Sequence, residues 1–182
     1  MRHDHLLDGA LPCQSEGVIA FSPVNQRQNG PYPESGLLDD TNRRLLVELQ
    51  SNARLTVAEL GRRVGLSAPA VADRLQRLES HGVIHGYRAI VDPAALGYPL
   101  SAIIRVRPAP RQIHKVAELV RRMPEVVECH RITGEDCFLI KAHVRSVAHL
   151  EELIDQLVTF GQTTTSIIQS SPVPPRATEP AS

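Results

Sequence analysis

The chain has 182 residues, 42% of them apolar but only 3% aromatic and none Trp, so its cores must be built from Leu, Val, Ile and Ala. Twenty basic residues balance twenty acidic ones, which excludes a global field that would announce a polyanionic partner. No apolar run approaches the roughly 18 residues that a membrane helix needs, and three cysteines without a C-x-x-C spacing argue against a disulfide scaffold and for a reducing, cytoplasmic setting.

Residues 1–36 hold Gly, Pro, Asn, Gln and Ser without sustained periodicity and end in "NGPYPESG", which predicts a disordered extension. Their early apolar run is short and broken, against a secretory signal. From Leu37 the period turns helical. "DDTNRRLLVELQSN" places Leu45, Leu46 and Leu49 on one stripe. "TVAELGRRVG" opens with Thr56 and Glu59 three apart, a capping box that satisfies two amides, and Gly65 ends the helix. "SAPAVADRLQRLESHG" starts at the N-cap Ser67 with Pro69 in its first turn, buries Val71, Leu75 and Leu78, and stops at Gly82. "VIHGYRAIV" then reads as two short β-branched runs around His85-Gly86, a hairpin.

Past residue 98 the pattern becomes strand, helix, strand, strand, helix, strand. The strands are "LSAIIRVRP", "VVECHRIT", "CFLIKAHV" and "TTTSIIQS". One helix turns Ile113, Val116, Val120 and Met123 inward, and the other, N-capped by Ser146, turns Val147, Leu150, Ile154 and Leu157 inward. This is the ferredoxin-like βαββαβ order. One sheet face takes the helices, and the bare face suggests pairing with a second chain. The expected class is α+β, with a winged helix-turn-helix over 37–92, a linker over 93–99, the ferredoxin-like domain over 100–174 and a Pro-rich disordered tail over 175–182.

Three short helices, a tight turn before the third and a β wing point to a helix laid in the major groove of double-stranded DNA. With Val71, Leu75 and Leu78 turned inward, Ser67, Ala68, Pro69, Ala70, Asp73, Arg74 and Arg77 are left to meet it. The small residues let the helix N-terminus approach closely, so its amides can hold a phosphate. From Arg54 to Arg88, six Arg oppose Glu59, Asp73 and Glu79, a local excess of three positive charges. The bland alternative is a three-helix bundle with a solvated charged face. Arg74 and Arg77 serve phosphate or guanine in one reading, and in the other they are salt-bridge partners of Asp73, Glu79 or Glu48.

The stretch from "LLDDTNRRLLVELQ" to "VDPAALG" resembles the Lrp/AsnC (feast/famine) transcriptional regulators. Leu66-Ser67, Arg74, Arg77-Leu78-Glu79, Gly82-Val83-Ile84, Gly86-Tyr87, Val91-Asp92-Pro93 and Leu96-Gly97 carry that resemblance. "ITGEDCFL" and "TTTSII" are similar to that family's regulatory domain, and the likeness covers about residues 37–174. It implies a promoter-binding homodimer that assembles into octamers or other even oligomers, with an amino-acid effector between regulatory domains. The effector loop it implies is Thr133, Gly134, Glu135 and Asp136, with Thr163, Thr164, Thr165 and Ser166 as the opposite wall. Cys137 stands where the family commonly has Asp, and the loop's Tyr is missing. Loop amides and hydroxyls suit an α-carboxylate, and an acidic side chain suits an α-ammonium; Thr and Ser also simply suit an exposed strand edge.

Catalysis, cofactors and metals find no support. There is no G-x-S-x-G, P-loop or GxGxxG, and His114, His130, His143 and His149 share no metal-ligand spacing, so no enzyme is expected. "ECHRITGEDCF" invites a metal or redox sensor built on Cys129, His130 and Cys137. As a hairpin with Thr133 facing Cys137, it puts Cys129 opposite Lys141 and the two sulfurs about 13 Å apart, too far for a disulfide or a shared metal. A second reading of the chain is a ligand-binding metabolic module whose helical half is only an interaction domain.

Overall fold

The computed structural model describes residues 36–178. The extension expected up to residue 36 therefore lies outside the described residues except for Gly36, as do residues 179–182 of the expected tail. The chain divides into two compact units: the second is Ala89–Arg176, which includes the stretch expected as a linker over 93–99, while Ala177 and Thr178 group with the first.

The first unit holds α1 (Asp40–Ser51), α2 (Val57–Val64) and α3 (Ala68–Ser80). Each begins where a short polar side chain accepts a free amide: Asp39 from Asn42, Thr56 from Glu59 and Ser67 from Ala70. The expected capping box is half made, because the Glu59 carboxylate turns to Arg62 and Arg63. Leu45, Leu49, Leu60, Val64 and Val71 form the core, with Leu75 and Ile84 packed against it. Each such side chain stabilises the unit by about 1.5–3 kcal/mol.

The turn between α2 and α3 depends on two glycines. Gly65 caps α2 at φ +77°, a left-handed conformation that costs glycine nothing. Gly61 brings α2 so close to the turn that a Cβ there would stand 2.5 Å from the Leu66 carbonyl oxygen.

The wing does not form. Residues 84–92 carry no strand, and Ile90 is 87% exposed. The amides of Val83 and Ile84 donate to the Leu78 carbonyl, and the Tyr87 hydroxyl donates to Glu79 at 2.9 Å. These bonds hold the chain along the end of α3 instead of folding it back, and two short exposed runs alone are marginal as a hairpin.

The second unit runs β1 (Leu100–Pro108), α4 (Ile113–Arg122), β2 (Val126–Arg131), β3 (Phe138–Val144), α5 (Val147–Val158) and β4 (Gly161–Ile167), preceded by a 3-10 turn at Ala94–Leu96. The antiparallel sheet has the order β2-β3-β1-β4, the ferredoxin-like arrangement. Alternation sends Ala102, Ile104, Val106, Phe138, Ile140, Ala142 and Val144 to the helix side, against Val116, Val120, Met123, Leu150, Leu153 and Leu157. On α5 the buried face is Leu150, Leu153 and Leu157; Val147, expected inward, is exposed.

The β2–β3 hairpin differs from expectation by one residue. Cys129 lies opposite Ile140 and Glu128 opposite Lys141, and the Ile132 amide donates to the Cys137 carbonyl. The loop is thus four residues, 133–136, with Gly134 at φ +109°. A bulge between Val126 and Glu128 adds one residue to β2.

Candidate functional site

The exposed side of α3 is a continuous stripe of small and polar residues. Ser67 and Pro69 stand at its start, followed by Ala72, Asp73, Gln76, Arg77 and Ser80, all exposed, while Val71 and Leu78 are buried beneath. Ala68 and Ala70 are half-buried at the first turn. Sequence reading missed Gln76, although it lies three residues beyond Asp73, on the same side of the helix.

Arg74 is not part of that stripe. Its Nη1 donates to Asp39 Oδ2 at 2.6 Å and to Asn42 Oδ1 at 2.9 Å. Its partners are therefore in α1 and its N-cap, not the Asp73, Glu79 or Glu48 weighed from the sequence. This hydrogen bond, reinforced by the Asn42 amide, holds the Asp39 carboxyl below its usual range. Glu48 is taken by Arg63 at 2.7 Å, and Arg44 donates to the Arg63 carbonyl at 2.9 Å. Much of the basic excess is thus internal to the bundle, which leaves Arg77 as the outward cation of α3. Burial, reinforced by Glu79, pushes the Tyr87 phenol up to about 12, so Tyr87 stays a hydrogen-bond donor at neutral pH.

In the second unit, the hairpin tip stands beside two arginines of β1 that sequence reading did not single out. Arg107 pairs with Glu135, while Arg105 Nη1 lies 3.5 Å from Asp136. Glu135 is 84% exposed and Asp136 half-buried, and the Cys137 amide ties the tip to the Val106 carbonyl at 2.9 Å. The alternation in "IIRVRP" already puts both arginines on one face. Thr133 and Gly134 are exposed at the tip.

The threonine block of β4 is split by the pleat. Thr164 pairs with Arg105 and Ser166 with Ile103, on the open face of the sheet. Thr163 and Thr165 pair with Val106 and Ile104 and so share the helix side. The four residues expected as one wall are two on each face.

A separate pocket of about 320 Å³ lies at the other end of the unit. Tyr98, Pro124, Glu125, Val127 and His143 line it, together with Val91, Leu96 and neighbouring residues. None of the expected effector residues lines it. His143 Nδ1 is 2.8 Å from the Ser101 hydroxyl, and burial holds its imidazole below the usual value.

Cys129 and Cys137 are free thiols, both leaning on the helix-side core. His130 projects to the opposite face and pairs with Glu128 at 2.8 Å. Burial raises the Cys129 thiol, which lowers its thiolate fraction and its reactivity. Among the described residues no group of three or more His, Cys, Asp or Glu is arranged to hold a metal, and no helix is long and apolar enough to cross a membrane.

Comparison with known proteins agrees with both halves. Residues 38–79 match the AsnC-type helix-turn-helix domain and residues 101–178 the Lrp/AsnC ligand binding domain. The HTH-type transcriptional regulator YezC of Bacillus subtilis is 40% identical over 134 residues, 74% of this chain and 95% of its own length. The HTH-type transcriptional regulator LrpA of Mycobacterium tuberculosis is 38% identical over 123 residues, 67% of this chain and 82% of its own. Among solved structures, LrpC of Bacillus subtilis aligns with a TM-score of 0.71 at 32% identity, covering 74% of this chain and 96% of that one. A transcriptional regulator from Neisseria meningitidis in complex with L-Met aligns at 0.72 and 31% identity, covering 79% and 96%. The match of the helical half to this domain sets aside the reading of it as a mere interaction module. The chain belongs to the Lrp/AsnC family of HTH-type transcriptional regulators, a family of regulators and not of enzymes.

Proposed function

We propose that α3 lies in the major groove of promoter DNA and that an amino-acid effector at the hairpin tip of the second unit modulates this binding. The carrying observation is the exposed stripe of α3. Ser67, Ala68, Pro69 and Ala70 leave the helix N-terminus open to a phosphate. Asp73, Gln76 and Arg77 project beyond them, and Arg77 offers the planar fork that suits a phosphate or a guanine edge.

For the effector, the tip holds both charges that an amino-acid zwitterion needs. Arg105 and Arg107 suit an α-carboxylate, and Glu135 and Asp136 suit an α-ammonium. Thr133, Gly134, Thr164 and Ser166 add exposed polar groups beside them. The L-Met held by the Neisseria relative is of this chemical class.

A homodimer, and a higher even oligomer such as an octamer, would cover apolar surface that one copy leaves open. Ile90, Val91, Leu96 and Val127 are all exposed. The working setting is the cytoplasm, and the functional division is a DNA-binding part over 37–92, a linker over 93–99 and an effector and oligomerisation part over 100–174.

The test uses the full chain and a duplex it selects from random-sequence DNA. Arg77→Ala is expected to weaken binding by about 5- to 150-fold and to lower the slope of log affinity against log salt by about 0.9 if a phosphate is its partner. Wild-type affinity in that variant would remove Arg77 from the interface.

A further inference from the structure

Arg74 joins three stretches of backbone. Its Nη1 is 2.6 Å from Asp39 Oδ2 and 2.9 Å from Asn42 Oδ1. Asp39 uses its other oxygen to accept the Asn42 amide at 2.7 Å, the bond that caps α1. Asn42, only 4% exposed, donates its side-chain amide to the Leu37 carbonyl at 2.7 Å. One guanidinium in the middle of α3 therefore holds the first turn of α1 and, through Asn42, the chain that enters it.

We infer that Arg74 is a positioning residue: with Asp39 and Asn42 it fixes the rotation and height of α3 on α1, and so the presentation of Asp73, Gln76 and Arg77, without itself touching DNA. This rests on the reading of α3 as the groove helix. The exchange of partners decides between the two roles. Turning Arg74 toward a phosphate would gain a charge-assisted bond, but it would strip Asp39 of its cation and leave the buried Asn42 oxygen without its donor. Arg77, one residue short of a full turn further on, is exposed and is drawn to Asp39 by charge alone, with no hydrogen bond there to abandon.

Three consequences separate a clamp from a contact. Removing Asp39 takes away the anion that holds Arg74 and leaves it only the neutral Asn42 oxygen, so a DNA-contacting Arg74 would bind as well or better in that background, while a clamp would be weakened. Removing both partners of a clamp costs no more than removing one. A clamp neutralises no phosphate of its own, so in an Arg77→Ala background, where a displaced Arg77 cannot alter the count, its loss leaves the salt slope unchanged.

The experiment measures fluorescence anisotropy of the full chain on its selected duplex from 50 to 200 mM salt, at a temperature where circular dichroism shows every variant folded. Asp39→Ala and Arg74→Ala are each expected to bind about tenfold more weakly or worse, the worth of a misplaced base contact. The double variant should bind no more weakly than either single one, and in the Arg77→Ala background all three should leave the salt slope unchanged. The inference is overturned if Asp39→Ala binds at least as tightly as wild type. It is equally overturned if Arg74→Ala loses about 0.9 of slope in the Arg77→Ala background, or if the two single losses add. Should an Ala variant fail to fold, Asp39→Asn keeps one oxygen to cap α1 but replaces the oxygen that accepts from Arg74 with an amide NH2: weaker binding at unchanged slope supports the clamp, and undiminished binding overturns it. The groove reading is judged separately by Arg77→Ala and Gln76→Ala, and wild-type binding in both would remove it.

Discussion

Asp39 shows how much one side chain can do at a helix start. It caps α1 with one oxygen and holds Arg74 with the other, and these bonds keep its carboxyl below the ordinary 3.8 in the folded chain. As pH falls, the unfolded chain therefore takes up this proton first. The stabilisation is whole above about pH 5, well clear of the unfolded value, and is lost as pH drops through the folded value. In urea unfolding, wild type should lose stability more steeply than Asp39→Asn between about pH 4 and 2; parallel curves would show that Asp39 contributes nothing. The carboxylate is 43% exposed, so screening keeps the effect modest. That Asp39 would cap α1 follows from its place in the sequence. Its hold on Arg74, 35 residues away, does not, because three other acids were as plausible until α3 was laid on α1.

The elements owe their existence to local chemistry and their mutual fit to close approach. Capping residues at Thr56, Ser67 and Ser146 sit where the sequence puts them, and Asp39 caps the acidic start of α1, because each accepts an amide only three residues away. The α2–α3 turn is different. A methyl group at Gly61 would press on the Leu66 backbone, which has no flexible end to yield. Gly61→Ala gains up to about 1 kcal/mol of helix propensity but is expected to lose about 1–3 kcal/mol to overpacking. The net prediction is a lower urea midpoint; a higher one would show that the turn can relax. Hairpin register was off by one for a related reason. Period-2 alternation says which residues share a face, and it correctly separates Cys129 from His130. The partner across the ladder depends on the loop and on the bulge after Val126, which alternation does not encode. With the observed register, Cys129 and Cys137 are still about 10 Å apart along the hairpin, so their separation survives the correction.

At the scale of the molecule, a unit that presents a helix to DNA is joined to a unit with an exposed pair of opposite charges. If the tip at Glu135 and Asp136 holds an amino acid, binding must raise the apparent stability of the full chain. A thermal-shift screen of the twenty amino acids should therefore yield at least one ligand, and its shift should vanish in Glu135→Gln/Asp136→Asn. A flat screen, or a shift that survives both substitutions, would move the effector elsewhere, with the pocket beside Tyr98 and His143 the next place to look.

By itself the sequence determined the α+β order of elements, the three helices with their caps, the ferredoxin-like sheet and the resemblance to a family of regulators. These are written in short-range patterns: apolar period, capping residues and a spaced series of motif positions. Only the tertiary structure decided that Arg74 pairs with Asp39 and Asn42 at the start of α1, that Arg105 and Arg107 meet the hairpin tip, that the β4 threonines divide between two faces in that register, and that residues 84–92 form no wing. The first three depend on a partner far away in the chain, and a charge or a strand edge in a sequence does not name the partner that will satisfy it; the missing wing goes with nearer bonds, to Leu78 and Glu79.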